Sequence, residues 1–115
     1  MYASEGEHSI NYNASADIFS LGCILFALVS GLFKIQFSGQ ASQYIGKYVK
    51  ENARQTHIAQ RVLNLLLQRS ENLILKIPHS VRVLIVKMLH YDPQSRPTLD
   101  EALHIIEEAL KEINP

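Results

Sequence analysis

The pattern of apolar and polar positions is most unusual between Asp17 and Lys34, where no charged side chain interrupts the chain. Apolar residues there fall on every side of a helix, so the pattern predicts a central helix that other elements surround. Ser15 is a suitable N-cap, Asp17 places a carboxylate in the first turn, and Gly31 is a typical C-terminal stop. The run is shorter than the roughly 20 apolar residues that a bilayer core requires, so we expect no membrane span.

Four further segments carry apolar residues at helical spacing, and no alternating strand pattern or hairpin turn accompanies them. Thr98 and Glu101 have the spacing of a capping box at the start of the last segment. Pro78 precedes the segment before it, and Asp92-Pro93 ends that segment. Gly46 interrupts the first segment. The pattern therefore predicts an all-α fold with helices at residues 44–49, 58–68, 80–91 and 98–113.

The composition of the chain mainly excludes classes of function. The 115 residues, 47% of them apolar, fit one globular domain over residues 1–115, and eleven basic residues balance eleven acidic ones. Without a basic patch or a charged tail, we expect no binding to nucleic acid. Cys23 is the single cysteine and lies in the apolar run, which predicts a buried thiol and an intracellular, cytoplasmic location. The N-terminus has neither a signal-peptide nor a transit-peptide pattern.

Candidate chemistry is sparse. The five histidines show no pair at ligand spacing, and the lone cysteine has no partner, so no metal site is expected in this chain. No glycine-rich loop for phosphates and no G-x-S-x-G nucleophile turn occurs. We therefore expect no catalytic residue and no cofactor-binding residue in this chain.

Two motifs are more specific. The stretch "DIFSLGCIL", which starts at Asp17, resembles the D-x-[WF]-S-x-G opening of the central helix in the C-terminal lobe of protein kinases. The stretch "MLHYDPQSRPTLDEAL" resembles the D-P-x-x-R-P-T segment that closes that lobe. Glu5 in "MYASE" stands where such kinases carry the glutamate of A-P-E, with Ser4 in place of the proline. The resemblance covers residues 2 to 106 and is to the serine/threonine type, because the Cys-Trp usual in tyrosine kinases is absent before Asp92.

The resemblance implies roles for three residues and a place for this chain in a larger fold. The chain would be the helical C-terminal lobe portion of a protein kinase-like fold, built around the buried central helix. Asp17 would accept hydrogen bonds from the backbone of the catalytic loop. Glu5 would pair with Arg96 and tie the activation segment to the lobe. Removing one partner of such a partly buried pair costs roughly 3 to 5 kcal/mol.

The same resemblance implies what the chain does. Phosphoryl transfer in this family needs a glycine-rich loop, a strand lysine, a catalytic aspartate and asparagine, and a D-F-G aspartate for magnesium, and none of these occurs here. The chain is therefore interpreted as the C-terminal part of a serine/threonine protein kinase, with ATP and magnesium implied for the intact enzyme. Its partners would be a protein substrate or the missing kinase segments. One alternative is a non-catalytic helical interaction module that binds a helical partner or itself, and another is an unrelated helical domain with chance motif matches.

Overall fold

The described residues of this chain form five α-helices, one short strand pair and one 3₁₀ turn. The computed structural model describes residues 3–37, 39–55, 57–70 and 76–113, and for residues 3–13 it describes the backbone alone. The predicted all-α fold is confirmed, and so are the four helices after the central one. The only described strands are two residues long and antiparallel, which no sequence pattern predicted. In chain order the elements are α1 (Ala3–Ser30), β1 (Lys34–Ile35), β2 (Gln43–Tyr44), α2 (Ile45–Glu51), α3 (Ile58–Ser70), α4 (His79–Met88), the 3₁₀ turn (Pro93–Ser95) and α5 (Leu99–Ile113).

Helix α1 is longer than the sequence predicts. The N-cap role of Ser15 is wrong, because α1 already begins at Ala3 and Ser15 lies in its interior. The Ser15 hydroxyl instead donates a hydrogen bond to the carbonyl oxygen of Pro93 at 3.0 Å. The predicted stop is confirmed: Gly31 has a positive φ of 74°, and its N–H donates to the carbonyl of Ala27 at 2.8 Å.

One side of α1 packs against α2, α3 and α4 and forms the main core. Phe26 of α1, Leu66 of α3 and Ile85 of α4 belong to one cluster, and each is 0% exposed. A second cluster joins α1 to α4 and α5. Its buried members are Ile18, Leu84, Met88 and Ala102.

Two glycines set the distances between α1 and its neighbours. A Cβ added at Gly22 would lie 2.9 Å from the Cβ of Met88, closer than real Cβ atoms approach, so a larger residue would force α1 and α4 apart. A Cβ added at Gly46 would lie 3.2 Å from the Sγ of Cys23 and 3.3 Å from a ring carbon of Phe19. Gly46 therefore does not interrupt α2, and its missing side chain lets α2 lie directly on α1.

The opposite side of α1 is uncovered by the described residues. Asp17, Ser20, Ile24 and Leu28 recur there at helical spacing and are all exposed, Ile24 by 57% and Leu28 by 71%. We refer to these four residues as the uncovered face of α1. The expectation that every side of this helix is covered is wrong for this face, because the described part of the chain packs its other helices onto the opposite side.

Helix α5 begins with the predicted capping box, which is confirmed. The N–H of Thr98 donates to a carboxylate oxygen of Glu101 at 2.9 Å, and the N–H of Glu101 donates to the Thr98 hydroxyl at 3.2 Å. These bonds, above all the one from the Thr98 backbone, lower the pKa of Glu101 below its ordinary value. Leu103 and Leu110 recur with the other apolar residues of α5 at helical spacing, yet they are 46% and 53% exposed.

Candidate functional site

The D-P-x-x-R-P segment folds into the 3₁₀ turn, which its own side chains hold in place. The carboxylate of Asp92 caps the turn, accepting hydrogen bonds from the N–H of Gln94 at 3.1 Å and from the hydroxyl of Ser95 at 3.3 Å. The N–H of Asp92 donates to Nδ1 of His90 at 3.0 Å, so the neutral imidazole carries its proton on Nε2. The turn therefore presents Arg96, directly after it, in a defined direction.

Arg96 ties this turn to α1. Its Nε donates to the carbonyl of His90 at 2.7 Å, its Nη1 to the carbonyl of Ser15 at 3.0 Å, and its Nη2 to the carbonyl of Tyr91 at 3.3 Å. The guanidinium carbon lies 4.6 Å from the centre of the Phe19 ring, within the range of a cation–π contact. Burial lowers the pKa of Arg96, which stays protonated at neutral pH because guanidinium titrates far above it.

The surroundings of Phe19 also include a second cation and the only cysteine. The Nζ of Lys50, from α2, lies 5.0 Å from the centre of the Phe19 ring. The sequence predicts a buried thiol at Cys23, but in the structure this residue is only half-buried. Burial raises the pKa of its thiol, and Lys50 and Arg96 oppose this only in part. Cys23 is thus a packing residue with little thiolate character.

Asp17 begins the uncovered face of α1. The first-turn position that the sequence predicted is wrong, because α1 begins at Ala3, about four turns earlier. The Asp17 carboxylate makes no hydrogen bond or ion pair with any side chain that the structure describes. An exposed aspartate in a helix interior does not favour the helix, and its carboxylate faces solvent as an available acceptor. The predicted contact with a catalytic loop stays a prediction.

The side chain of Glu5 lies outside the described residues, so the predicted pair with Arg96 also stays a prediction. The backbone of α1 nevertheless sets a condition for this pair. Glu5 precedes Ser15 by about 15 Å along a continuous helix axis, whereas the Arg96 guanidinium is hydrogen bonded to Ser15 itself. A glutamate side chain is much shorter than that distance. Pairing therefore requires the chain before Ser15 to turn away from the axis of α1.

The described residues do not fit a magnesium-bound nucleotide. No group of three or more His, Cys, Asp or Glu side chains comes together among them. The Asp92 carboxylate is already engaged in capping the 3₁₀ turn. Magnesium requires nearly octahedral oxygen coordination, usually with carboxylates and phosphates together. We therefore assign no step of phosphoryl transfer to these residues.

Sequence reasoning missed three residues of this region, namely Ser15, Phe19 and Gly22. Ser15 has the chemistry of an N-cap and Phe19 is one residue of the apolar run, so neither indicates its contact with Arg96, which is distant in the chain. The signal for Gly22 was present, since it is the glycine of the D-x-[WF]-S-x-G motif. Its role at the crossing of α1 and α4 depends on a contact that only the fold reveals.

A comparison with known families agrees with this arrangement. The family model described as the protein kinase domain matches residues 3–106, which is most of the chain. This chain therefore belongs to the protein kinase domain family. No match was found among curated proteins or among solved structures. Within the described residues, every helix is too short or too polar to span a bilayer.

Proposed function

We propose that this chain is the C-terminal part of a serine/threonine protein kinase. The observation that carries the proposal is the docking of the D-P-x-x-R-P turn on α1 through Arg96, in a chain that belongs to the protein kinase domain family. The chain supplies a rigid helical scaffold, and the intact enzyme uses ATP and magnesium to phosphorylate proteins. Because the sequence has none of the motifs that hold ATP and magnesium, the isolated chain transfers no phosphate.

In this proposal Asp17 positions the catalytic loop. It lies on a helix whose other side is fixed by the close packing at Gly22, so its carboxylate is held by a rigid element. It has no partner among the described residues, and a carboxylate that accepts backbone N–H groups forms strong, charge-assisted hydrogen bonds. Asp17 is thus a positioning residue, whose effect on catalysis is exerted through the loop it holds.

Arg96 retains donors for the proposed pair with Glu5. A guanidinium has five N–H groups, and three of them donate to the backbone carbonyls of Ser15, His90 and Tyr91. The second N–H of Nη1 makes only a long hydrogen bond, of 3.5 Å, to the Ser15 hydroxyl, and the second N–H of Nη2 has no partner among the described residues. Both can donate to a carboxylate once the chain before Ser15 turns toward the 3₁₀ turn.

The proposal includes partners and a location. The partners are a protein substrate and the kinase segments that complete the lobe, with the uncovered face of α1 as the surface that those segments contact. The location is the cytoplasm, which agrees with a single cysteine and a half-buried thiol. Cell fractionation with an antibody against residues 98–115 tests the location, and a product confined to the secreted fraction would contradict it.

The first experiment is to capture the native product with the same antibody and to determine its size and activity. We expect a band much larger than the 13.0 kDa of this chain. With ATP and magnesium it should phosphorylate a peptide containing Ser or Thr, and not the matched peptide containing Tyr. The variant Asp17→Asn should lower kcat while the amount of product stays unchanged, whereas Ser20→Asn, on the same exposed face, should leave kcat unaltered. Phosphate transfer to tyrosine alone would show that the serine/threonine assignment is wrong.

The isolated chain provides a complementary test. Purified protein of 115 residues should transfer no phosphate from ATP to Ser, Thr or Tyr peptides. Measurable turnover that disappears in the Asp17→Asn variant would contradict the proposal, because it would place catalysis in this chain.

A second candidate function is a non-catalytic helical interaction module, and the uncovered face of α1 is the observation that favours it. Ile24 and Leu28 are exposed there, in a helix that is otherwise packed on its far side. If the native product has a mass near 13 kDa and no kinase activity, this function replaces the first. In that case Ile24→Asp should weaken self-association or helical partner binding in sedimentation experiments, and Ser20→Asp, its neighbour on the same face, should do so much less.

A further inference from the structure

A cavity that neither Asp17 nor Arg96 lines opens between two walls of the bundle. One wall is the connection from α2 to α3 with the first turns of α3, and the other is the C-terminal end of α4 with the residues after it. The cavity has a volume of about 540 Å³, which is in the range of ligand-binding sites in proteins. Three of its lining residues, Val49, Val62 and Leu89, are buried and give it an apolar floor.

The rim of this cavity is cationic. Arg54 stands on the first wall and Lys87 on the second, and both are exposed. No Asp or Glu lines the cavity, and neither cation forms an ion pair among the described residues. His90 adds a further donor on the second wall, because its Nδ1 accepts a hydrogen bond and leaves the proton on Nε2. Since the formal net charge of the chain is zero, this local excess of positive charge is not a property of the whole surface.

We propose that this cavity binds an acidic peptide segment with one large apolar side chain. The apolar side chain would occupy the floor formed by Val49, Val62 and Leu89, and carboxylates on either side of it would face Arg54 and Lys87. The two cations stand on different walls. A ligand with carboxylates on both sides of its apolar group can therefore contact both cations, whereas a fatty acid has one carboxylate and contacts only one. This inference is independent of the proposed kinase function, because it involves neither phosphate transfer nor the residues assigned to it.

The two parts of the cavity would contribute differently to binding. Burial of one large apolar side chain in a desolvated pocket provides most of the affinity at protein interfaces. Charges at an exposed rim mainly accelerate association and select the partner, and their effect decreases as salt increases. We therefore expect an affinity that depends on the apolar side chain at every salt concentration and on the rim charges chiefly at low salt.

The test uses the full chain and the peptide fluorescein-Gly-Gly-Asp-Glu-Phe-Glu-Asp-amide, whose binding is followed by fluorescence anisotropy. We expect saturable binding at low salt. The matched peptide with Ser in place of Phe should bind about tenfold more weakly, and the peptide with Lys at the four acidic positions should not bind measurably. Decanoate is the probe for a simple amphiphile, and we expect it to bind more weakly than the Phe peptide.

Variants then locate the site. The double variant Arg54→Glu with Lys87→Glu should weaken peptide binding about tenfold at low salt and less at high salt. The matched control, Lys34→Glu with Lys76→Glu, changes the net charge equally at exposed positions that do not line the cavity, and it should bind as the wild type does. Ala59→Trp, an exposed lining position on α3, should occlude the cavity and abolish binding at both salt concentrations. Circular dichroism of each variant verifies that the helices are retained.

Several outcomes would overturn the inference. The first is that the acidic Phe peptide does not bind the wild-type chain at millimolar concentration, and the second is that the cavity and control double variants bind it equally well. If the Ser peptide bound as tightly as the Phe peptide, binding would depend on surface charge alone and not on the apolar floor. Decanoate bound as tightly as the Phe peptide would assign the cavity to small amphiphiles instead.

Discussion

The two sides of α1 differ in how far the described residues cover them. On the packed side, Phe26 has no exposed surface and Gly22 lets α4 approach within side-chain contact. On the uncovered face, Ile24 and Leu28 are exposed by more than half although they are as apolar as the residues of the core. The same helix thus combines a completed interface with an apolar surface that no described residue covers.

This difference shows which side of α1 is packed by contacts within this chain. The packed side uses close helix contacts, two hydrophobic clusters and the Arg96 anchor, and all of these come from this chain. Beside Asp17 and Ser20, the uncovered face carries the large apolar side chains of Ile24 and Leu28 without the contacts that would bury them. The apolar run of the sequence therefore anticipates more packing than the described residues provide.

The largest expected effect compares Phe26 with Leu28, which lie on the two sides of α1. Phe26→Ala should lower the free energy of unfolding by about 3–5 kcal/mol, because it removes a fully buried ring and leaves a cavity. Leu28→Ala should change it by no more than about 0.5 kcal/mol, because that side chain is already exposed. Urea unfolding followed by circular dichroism measures both. Equal losses would show that the uncovered face is packed in solution.

Replacement of Arg96 tests how the 3₁₀ turn is fixed to the packed side. Arg96→Ala should cost about 2 kcal/mol, since it removes three hydrogen bonds to carbonyls from a group that is only partly buried. Arg96→Lys should recover only a minor part, because an ammonium group lacks the planar fork that spans these acceptors. Arg54→Ala, at an exposed arginine with no such bonds, is the control and should be nearly neutral. If Arg96→Lys were as stable as the wild type, the hydrogen bonds of the planar guanidinium would not be what fixes the turn.

Gly22 and Ser20 give the next comparison, between the helix crossing and the uncovered face. Gly22→Ala should destabilise the fold by about 1–2 kcal/mol, because overlap with the Cβ of Met88 outweighs the better helix propensity of alanine. Ser20→Ala should be neutral or slightly stabilising, since propensity alone acts at an exposed position. Urea unfolding of both variants measures this difference, and a stabilised Gly22→Ala protein would mean that α1 and α4 lie farther apart.

The smallest expected effect concerns pH and the start of α5. The folded-state pKa of Glu101 is lowered, mainly by the hydrogen bond from the Thr98 backbone, so the ionised form favours folding. Its contribution is present above the pKa of Glu in the unfolded chain and is lost as the pH falls through the lowered pKa of the folded chain. In the variant Glu101→Gln, this loss should be absent when the free energy of unfolding is measured at decreasing pH. Glu107→Gln, outside the capping box on the same helix, is the matched control, and identical profiles for both variants would contradict the assignment.

The sequence determined the helices and much of the motif content of this protein. Capping residues and 3.6-residue periodicity are local signals, which is why the capping box of α5 and the stop at Gly31 are found as predicted. The motif residues Asp17 and Arg96 also led to the family to which the chain belongs. The start of α1 was missed because Ser15 has the chemistry of a cap, and only its contact with Pro93 shows another use.

The tertiary structure decided which apolar residues are buried and what the polar ones contact. Periodicity places Leu103 on a helix face but does not say whether another helix covers that face, and here none of the described residues does so fully. The partners of Arg96 are distant in sequence, and the closeness that Gly22 permits depends on where α4 crosses α1. Local sequence thus fixes the helices through short-range hydrogen bonds and caps, whereas burial, the Arg96 anchor and the cationic cavity depend on long-range packing that only the folded chain specifies.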